Sequence, residues 1–232
     1  MLANIHYEQC LSFLNSQIKP NVRKPAKAGT RFRAVTISRD AGSGGNAIAE
    51  LLVKRLLHAD PNSPAPWTLF NKNLVEKVLE DHQIPKRLAK FFPEDRLLEL
   101  QDMMDEIVGL RPGSWTIAEK TSETILQLAA IGNVVIVGRA GNVVTRKLPD
   151  VLRVRLTGSF EARTQRLMAM QNMSHDAALR YIDTEDTGRR RYLRKYFSVK
   201  SDDPLLYHLV LNTDHFSLEQ VADLLAEIVI GD

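Results

Sequence analysis

The run SRDAGSGGNAIA, Ser38 to Ala49, has the make-up of an anion-binding loop: glycines and a serine stand between a β-prone stretch and a helix-like run. Glycines at such a junction let successive backbone N–H groups converge on an anion at the start of the helix, where the peptide dipoles favour negative charge. Gly42, Ser43, Gly44, Gly45 and Asn46 are therefore candidate phosphate ligands. The standard nucleotide loop is G-x-x-x-x-G-K-[ST], in which the lysine reaches the outer phosphates and the hydroxyl binds magnesium. With Gly44 as the second glycine, Arg39 stands in place of the first, Gly45 in place of the lysine and Asn46 in place of the hydroxyl residue.

A second concentration of charge lies in YIDTEDTGRRRYLRKYF, Tyr181 to Phe197. On a helix, Asp186 and Arg190 sit about one turn apart and Arg190 and Arg194 share a face at i and i+4. Arg189, Arg191 and Lys195 enlarge the cluster. Two readings follow: a set of cations for phosphate oxygens, or a solvated helix with Asp186 and Arg190 in an intrahelical pair. Other constellations fail, because the six histidines show no metal-ligand spacing and Cys10 has no partner for nucleophilic catalysis.

The elements that must position these residues alternate. Ala34 to Ser38 is a short strand, and Ile48, Leu51, Leu52 and Leu56 repeat near 3.6 within a helix over Ala47 to Leu57. After the proline-rich break from Pro61 to Trp67, Asn73 to Asp81, Pro85 to Phe92 and Arg96 to Val108 predict a helical insertion, spanning about 68–115. A helix from Ser114 to Ala130 leads to a continuous apolar strand, Asn133 to Val137, of the kind buried on both faces of a parallel sheet. Val151 to Leu156 is a further strand. Ser159 caps a helix over Phe160 to Gln171, and Ser174 caps a long charged one through about Tyr196. A last strand, Leu209 to Asn212, precedes a capping box of Ser217 and Gln220. Strands alternating with helices predict an α/β fold with a parallel, doubly wound sheet.

The bulk properties set the frame. A chain of 232 residues with 44% hydrophobic and 25% charged side chains suits one folded unit. A single cysteine is compatible with a reducing compartment, and the N-terminus has no secretory pattern, so the expected location is cytoplasmic. No apolar run approaches the roughly 20 residues of a membrane span, so no membrane partner is expected. A net charge of +3 implies no polyanion partner. Residues 1–33 read as a short helix, with Tyr7, Leu11, Leu14 and Ile18 on one stripe, followed by a basic linker. Without interleaved aromatics, that linker is not read as a nucleic-acid site.

Ile37 to Gly45 resembles the variant phosphate loop of the cytidylate kinase-like family, in which a strand ending Ile-Ser-Arg precedes an acidic residue and Gly-Ser-Gly-Gly. VIVGRAGNVV, Val135 to Val144, is similar to that family's strand and Gly-Arg turn; LRVRLTGSFEARTQRL and LVLNTDHFSLEQVADLL are similar to its later strands and helices. The resemblance runs from about Phe32 to the end. It implies a P-loop NTPase-like three-layer α/β/α fold with a helical monophosphate-binding insertion and a helical lid over about 174–200. It also implies ATP as nucleotide donor, Mg²⁺ with it, and a small-molecule acceptor, a nucleoside monophosphate such as CMP.

On that resemblance Arg139 is a ligand of the acceptor, and Asn71 and Asp186 are further acceptor-binding candidates. Arg39 would replace the missing lysine, and Arg190 and Arg194 would close the lid and act in catalysis. The sequence departs from the family where Asn46 replaces an arginine, Ala140 an aspartate that reads the base, and Asn71 an aspartate. The alternative is a non-catalytic nucleotide-binding or regulatory protein with a degenerate phosphate loop. Oligomeric state leaves no mark in the sequence.

Overall fold

The computed structural model describes residues 32–61, 63, 65–71, 94–108, 116–138 and 140–231. The helix expected near the N-terminus, most of the linker, the helical pieces at 73–81 and 85–92, and Arg139 lie outside the described residues.

Strand β1, Ala34–Arg39, is the centre of the sheet. Its first four residues are buried because both faces are covered, which its β-branched Val35, Thr36 and Ile37 suit. The other strands are β2 (Thr68–Phe70), β3 (Val134–Val137), β4 (Val151–Thr157) and β5 (Leu209–Asn212). They form one sheet in the order β2-β3-β1-β4-β5, every pair parallel. Ala34 pairs with Val134 on one side and Val151 on the other. The chain passes to opposite sides of β1 at β3 and β4, so a crevice opens at the carboxyl ends of these strands, where open α/β sheets bind ligands.

Helix α1, Gly45–Ala59, returns along one face of the sheet beside the C-terminal helix. Ile48, Ala49, Leu52 and Leu56 meet Val35, Ile37, Val135, Val137, Leu152, Val154 and Leu156 in one core. The opposite face carries α2 (Glu94–Val108), α3 (Thr116–Ile131), α4 (Gly141–Val144) and α6 (His175–Phe197). There Leu100, Met104, Ile125, Leu126, Val143, Leu193 and Phe197 pack on Ala34, Val134, Ile136 and Val151. Helix α5, Phe160–Gln171, packs with α6 in a smaller cluster of Leu167, Ala178 and Ile182 that includes Ala41 of the glycine loop. Helix α7, Leu218–Ile230, shares the core of α1. The result is the three-layer α/β/α fold.

Caps fall where serine spacing predicts them. Ser159 accepts from Ala162 N, Ser174 from Ala177 N, and Ser217 with Gln220 forms a complete capping box. Two elements differ from the sequence reading. Thr68–Phe70, placed at the start of the helical insertion, is an edge strand because its residues are buried beside β3. Three residues are too few for an alternating pattern to show. The four-residue α4 starts from Ala140 at φ 60, immediately after the Gly138 turn at φ 86, a left-handed pair of positions that apolar periodicity does not register.

Leu52 is fully buried between α1 and the sheet. Leu52→Ala is expected to cost about 2–5 kcal/mol, through lost transfer energy plus the cavity left behind. Chemical denaturation checks this, and a loss below about 1 kcal/mol would show that this core collapses around the deletion.

Candidate active site

The loop after β1 is held through its backbone N–H and carbonyl groups and the Asp40 carboxylate. Asp40 N donates to Leu156 O at 3.0 Å, and the Asp40 carboxylate accepts from Arg155 Nη2 at 2.7 Å and Thr157 Oγ1 at 2.8 Å. Ser43 Oγ donates to Asp40 O at 2.9 Å. Beyond this, α5 and α6 grip the loop. Arg163 Nη1 donates to Ala41 O at 3.0 Å and to Asp186 Oδ2 at 2.6 Å, while Asp186 Oδ1 accepts from Ala41 N at 2.7 Å. Arg166 donates to Gly42 O at 2.7 Å and to Thr213 O at 3.0 Å.

These bonds reach the loop from residues of β4, α5 and α6. Gly44 is the N-cap of α1 at φ 82, with no side-chain cap and no acidic residue in the first turn. The first N–H groups of a helix have no intrahelical partner, so the start of α1 offers donors and a favourable dipole to an anion. Glycine is required at two of these positions. A Cβ at Gly42, φ 79, would lie 2.6 Å from Arg163 O, and one at Gly44 would collide with Leu218 Cδ2.

Gly45 has a different reason to lack a side chain. A Cβ there would sit 2.9 Å from Arg39 Cγ, and one at Gly138 would meet Arg39 Nη1. The Arg39 side chain therefore runs across the first residue of α1 to the turn after β3. The stem of any lysine at 45 would occupy the same space.

Beside the loop lies a cleft of about 460 Å³. Arg39, Arg155, Arg163, Arg189 and Arg190 line it together with Asp40, Glu185 and Asp186, and the turn after β3 contributes Gly138, Ala140 and Asn142. Tyr192 and Leu193 add an apolar stretch. The cleft joins the loop through Arg39 and Asp40; Gly42 to Asn46 are not part of its wall.

The expected site residues separate accordingly. Arg39 and Arg190 line the cleft, and Arg190 Nη2 donates to Thr187 Oγ1 at 3.1 Å. Arg194, one turn further along α6, is exposed and outside the lining. Asp186 lines the cleft, but its carboxylate is buried and engaged by Arg163, Ala41 N–H and, at 3.4 Å, Arg189. Its ion pairs are thus with Arg163 and Arg189 rather than with Arg190. Asn71 follows edge strand β2, outside the lining, and Asn46 is exposed at the start of α1.

Sequence reasoning passed over Arg155, Arg163 and Arg166, and counted Arg189 only as one of a cluster of cations. Arg189 bonds Glu185 at 2.8 Å and the carbonyl of Arg39 at 3.3 Å, so it connects α6 directly to the end of β1. Arg163 and Arg166 are three residues apart on α5. That spacing puts two cations on one helix face, a usable signal. Their partner, a loop more than a hundred residues earlier, was not visible.

The loop, the cleft and the arginines that join them lie within the segment matched by the family model described as "Cytidylate kinase-like family", residues 34–215. The chain belongs to the cytidylate kinase-like family. Among similar proteins, "Cytidylate kinase" of Sulfurisphaera tokodaii is 24% identical over 193 residues, 82% of this chain and 92% of that protein. "Cytidylate kinase" of Methanocaldococcus jannaschii is 26% identical over 159 residues, 67% and 89% of the two chains. A crystal structure of an uncharacterized protein from Eubacterium ventriosum superposes with a TM-score of 0.64 at 19% identity, covering 86% of this chain and 98% of that one. It shows that the fold is shared.

Two predictions follow for this family member. Asp186→Ala strands the buried Arg163 guanidinium and the Ala41 N–H, and is expected to cost about 3–5 kcal/mol in chemical denaturation; a loss below about 1 kcal/mol would show that the loop does not depend on this pair. Gly45→Ala is expected to cost about 1–3 kcal/mol by overpacking against Arg39. Adding Arg39→Ala should return most of that loss, and an additive double variant would refute the steric coupling.

Proposed function

We propose that this protein is a nucleotide kinase-like phosphotransferase that moves the γ-phosphoryl of ATP to a nucleoside monophosphate or another small acceptor in the adjoining cleft. The observation that carries this reading is the junction of an uncapped helix start, braced from behind by Asp186, Arg163 and Arg166, with an arginine-lined cleft. The names of the relatives from Sulfurisphaera tokodaii and Methanocaldococcus jannaschii agree with it.

Phosphoryl transfer asks little covalent chemistry of the protein; it needs alignment and positive charge around the migrating group. Backbone N–H groups of Gly42, Gly44, Gly45 and Asn46 would hold the donor phosphates, Ser43 N–H and Oγ being bonded to Asp40 O, with Arg39 supplying the cation that the standard loop takes from lysine. Arg155 and Arg163 already have carboxylate partners, so they set the shape of the cleft. Arg190 has no carboxylate partner among the described residues, and of the two α6 arginines that line the cleft its cation is the one left for substrate oxygens. Residues 174–200 act as the lid, and Arg139, in the Gly-Arg turn, would hold the acceptor.

Mg²⁺ would arrive with ATP, held mainly by the nucleotide's own oxygens, since no three His, Cys, Asp or Glu among the described residues gather to bind a metal and Asp40 and Asp186 face arginines. When bound, it supplies charge neutralisation between the outer phosphates. No helix among the described residues is long and apolar enough to cross a membrane.

A second reading, nucleotide binding without catalysis, draws on Gly45 and the exposed Asn46 at the lysine and hydroxyl positions. Transfer of labelled γ-phosphate from MgATP to a panel of nucleoside monophosphates separates the two. A labelled diphosphate is expected, with turnover falling about 100-fold in Arg190→Ala while MgATP affinity holds. MgATP binding with no product from any acceptor would favour the non-catalytic reading; no MgATP binding would remove the phosphate cradle itself.

A further inference from the structure

Three buried polar atoms among the described residues have no hydrogen-bond partner: Thr36 Oγ1, Gln127 Oε1 and Asn142 Nδ2. Only Asn142 of these three belongs to a residue lining the cleft. It is 3% exposed, on α4, and its flanking Ala140, Val143 and Val144 pack in the same apolar cluster as Leu193, with Tyr192 against it. Leaving an amide donor buried and unpaired costs about 1–3 kcal/mol, so native proteins keep such groups for a reason.

The cleft wall is divided by chemistry. Arginines 39, 155, 163, 189 and 190 belong to its charged part, whereas Ala140, Asn142, Tyr192 and Leu193 combine apolar surface, an aromatic ring and one neutral amide. An amide offers both a donor and an acceptor to the edge of a heterocycle, and an aromatic ring complements its face. A phosphate would prefer the guanidinium groups. The side chain can adapt, because rotation about χ2 exchanges the two ends of the amide within a broad, roughly two-fold torsional well.

We propose that Asn142 is a specificity-determining residue of the acceptor site, its Nδ2 donating to a carbonyl or ring-nitrogen acceptor on the base of the nucleoside monophosphate. This rests on the phosphotransferase reading and names the part of the cleft that reads the base. It assigns to an amide on α4 a role that the alanine at position 140 lacks the polar group to perform.

The test is calorimetric binding of CMP, UMP, AMP, GMP and, separately, MgATP to the full chain and to Asn142→Ala and Asn142→Asp, with melting temperatures of the free proteins. For the tightest-binding monophosphate, both variants are expected to bind about tenfold more weakly with MgATP affinity unchanged. Asn142→Ala, which removes an unsatisfied donor, should not lower the melting temperature. Unchanged monophosphate affinity, or equal losses for monophosphate and MgATP with a lowered melting temperature, would overturn the inference and leave the proposed function standing. A wild-type protein that binds MgATP but none of the four monophosphates also overturns the inference. If it binds neither kind of nucleotide, the phosphotransferase reading falls as well.

Discussion

The interaction on which the site depends is the buried contact among Asp186, Arg163 and Ala41. One carboxylate meets a guanidinium at 2.6 Å and a backbone N–H at 2.7 Å, and the same guanidinium takes the Ala41 carbonyl at 3.0 Å. Burying two charges is expensive, and their attraction repays the cost only when the remaining donors and acceptors are also satisfied. Here Arg163 Nε also reaches Gly158 O, and Asp186 takes a further bond from Arg189. The contact therefore fixes three separate pieces of chain, the loop, α5 and α6, in one geometry. A glycine-rich loop is entropically costly to order, and this bracing offsets part of that cost.

The same contact explains why much of the fold but only part of the site was legible. Strand β3 announces itself as VVIV, buried at every position, and the caps at Ser159, Ser174 and Ser217 follow from local hydrogen-bond chemistry. These are short-range signals. Gly42 and Gly44, which the sequence marks as glycines between a strand and a helix, hold left-handed backbone there. The role of Asp186 was not legible, because its two shortest bonds are to partners 145 and 23 residues away and its spacing to Arg190 on the helix suggested a nearer one. Helical periodicity also put Arg194 beside Arg190, without revealing that one further turn carries the side chain beyond the cleft.

Charge in the cleft is arranged rather than merely accumulated. Arg155 is paired with Asp40, Arg163 with Asp186, and Arg189 with Glu185, all at N···O distances of 2.8 Å or less. Such pairs let several arginines stand close together without strong mutual repulsion, and each acidic partner also fixes the direction of its guanidinium. Helix α6 supplies both members of the Arg189–Glu185 pair and the acidic member of the Arg163 pair. Its orientation is therefore tied to the electrostatics of the cleft as much as to the apolar stripe that buries Ile182, Leu193 and Phe197.

The packing of Arg39 over Gly45 also constrains how such a loop changes over evolutionary time. A long side chain at 45 and the arginine at 39 compete for one volume. A lineage with this arginine reaches the lysine form only by surrendering Arg39 first, passing through an ancestor with neither cation, or by accepting a crowded intermediate.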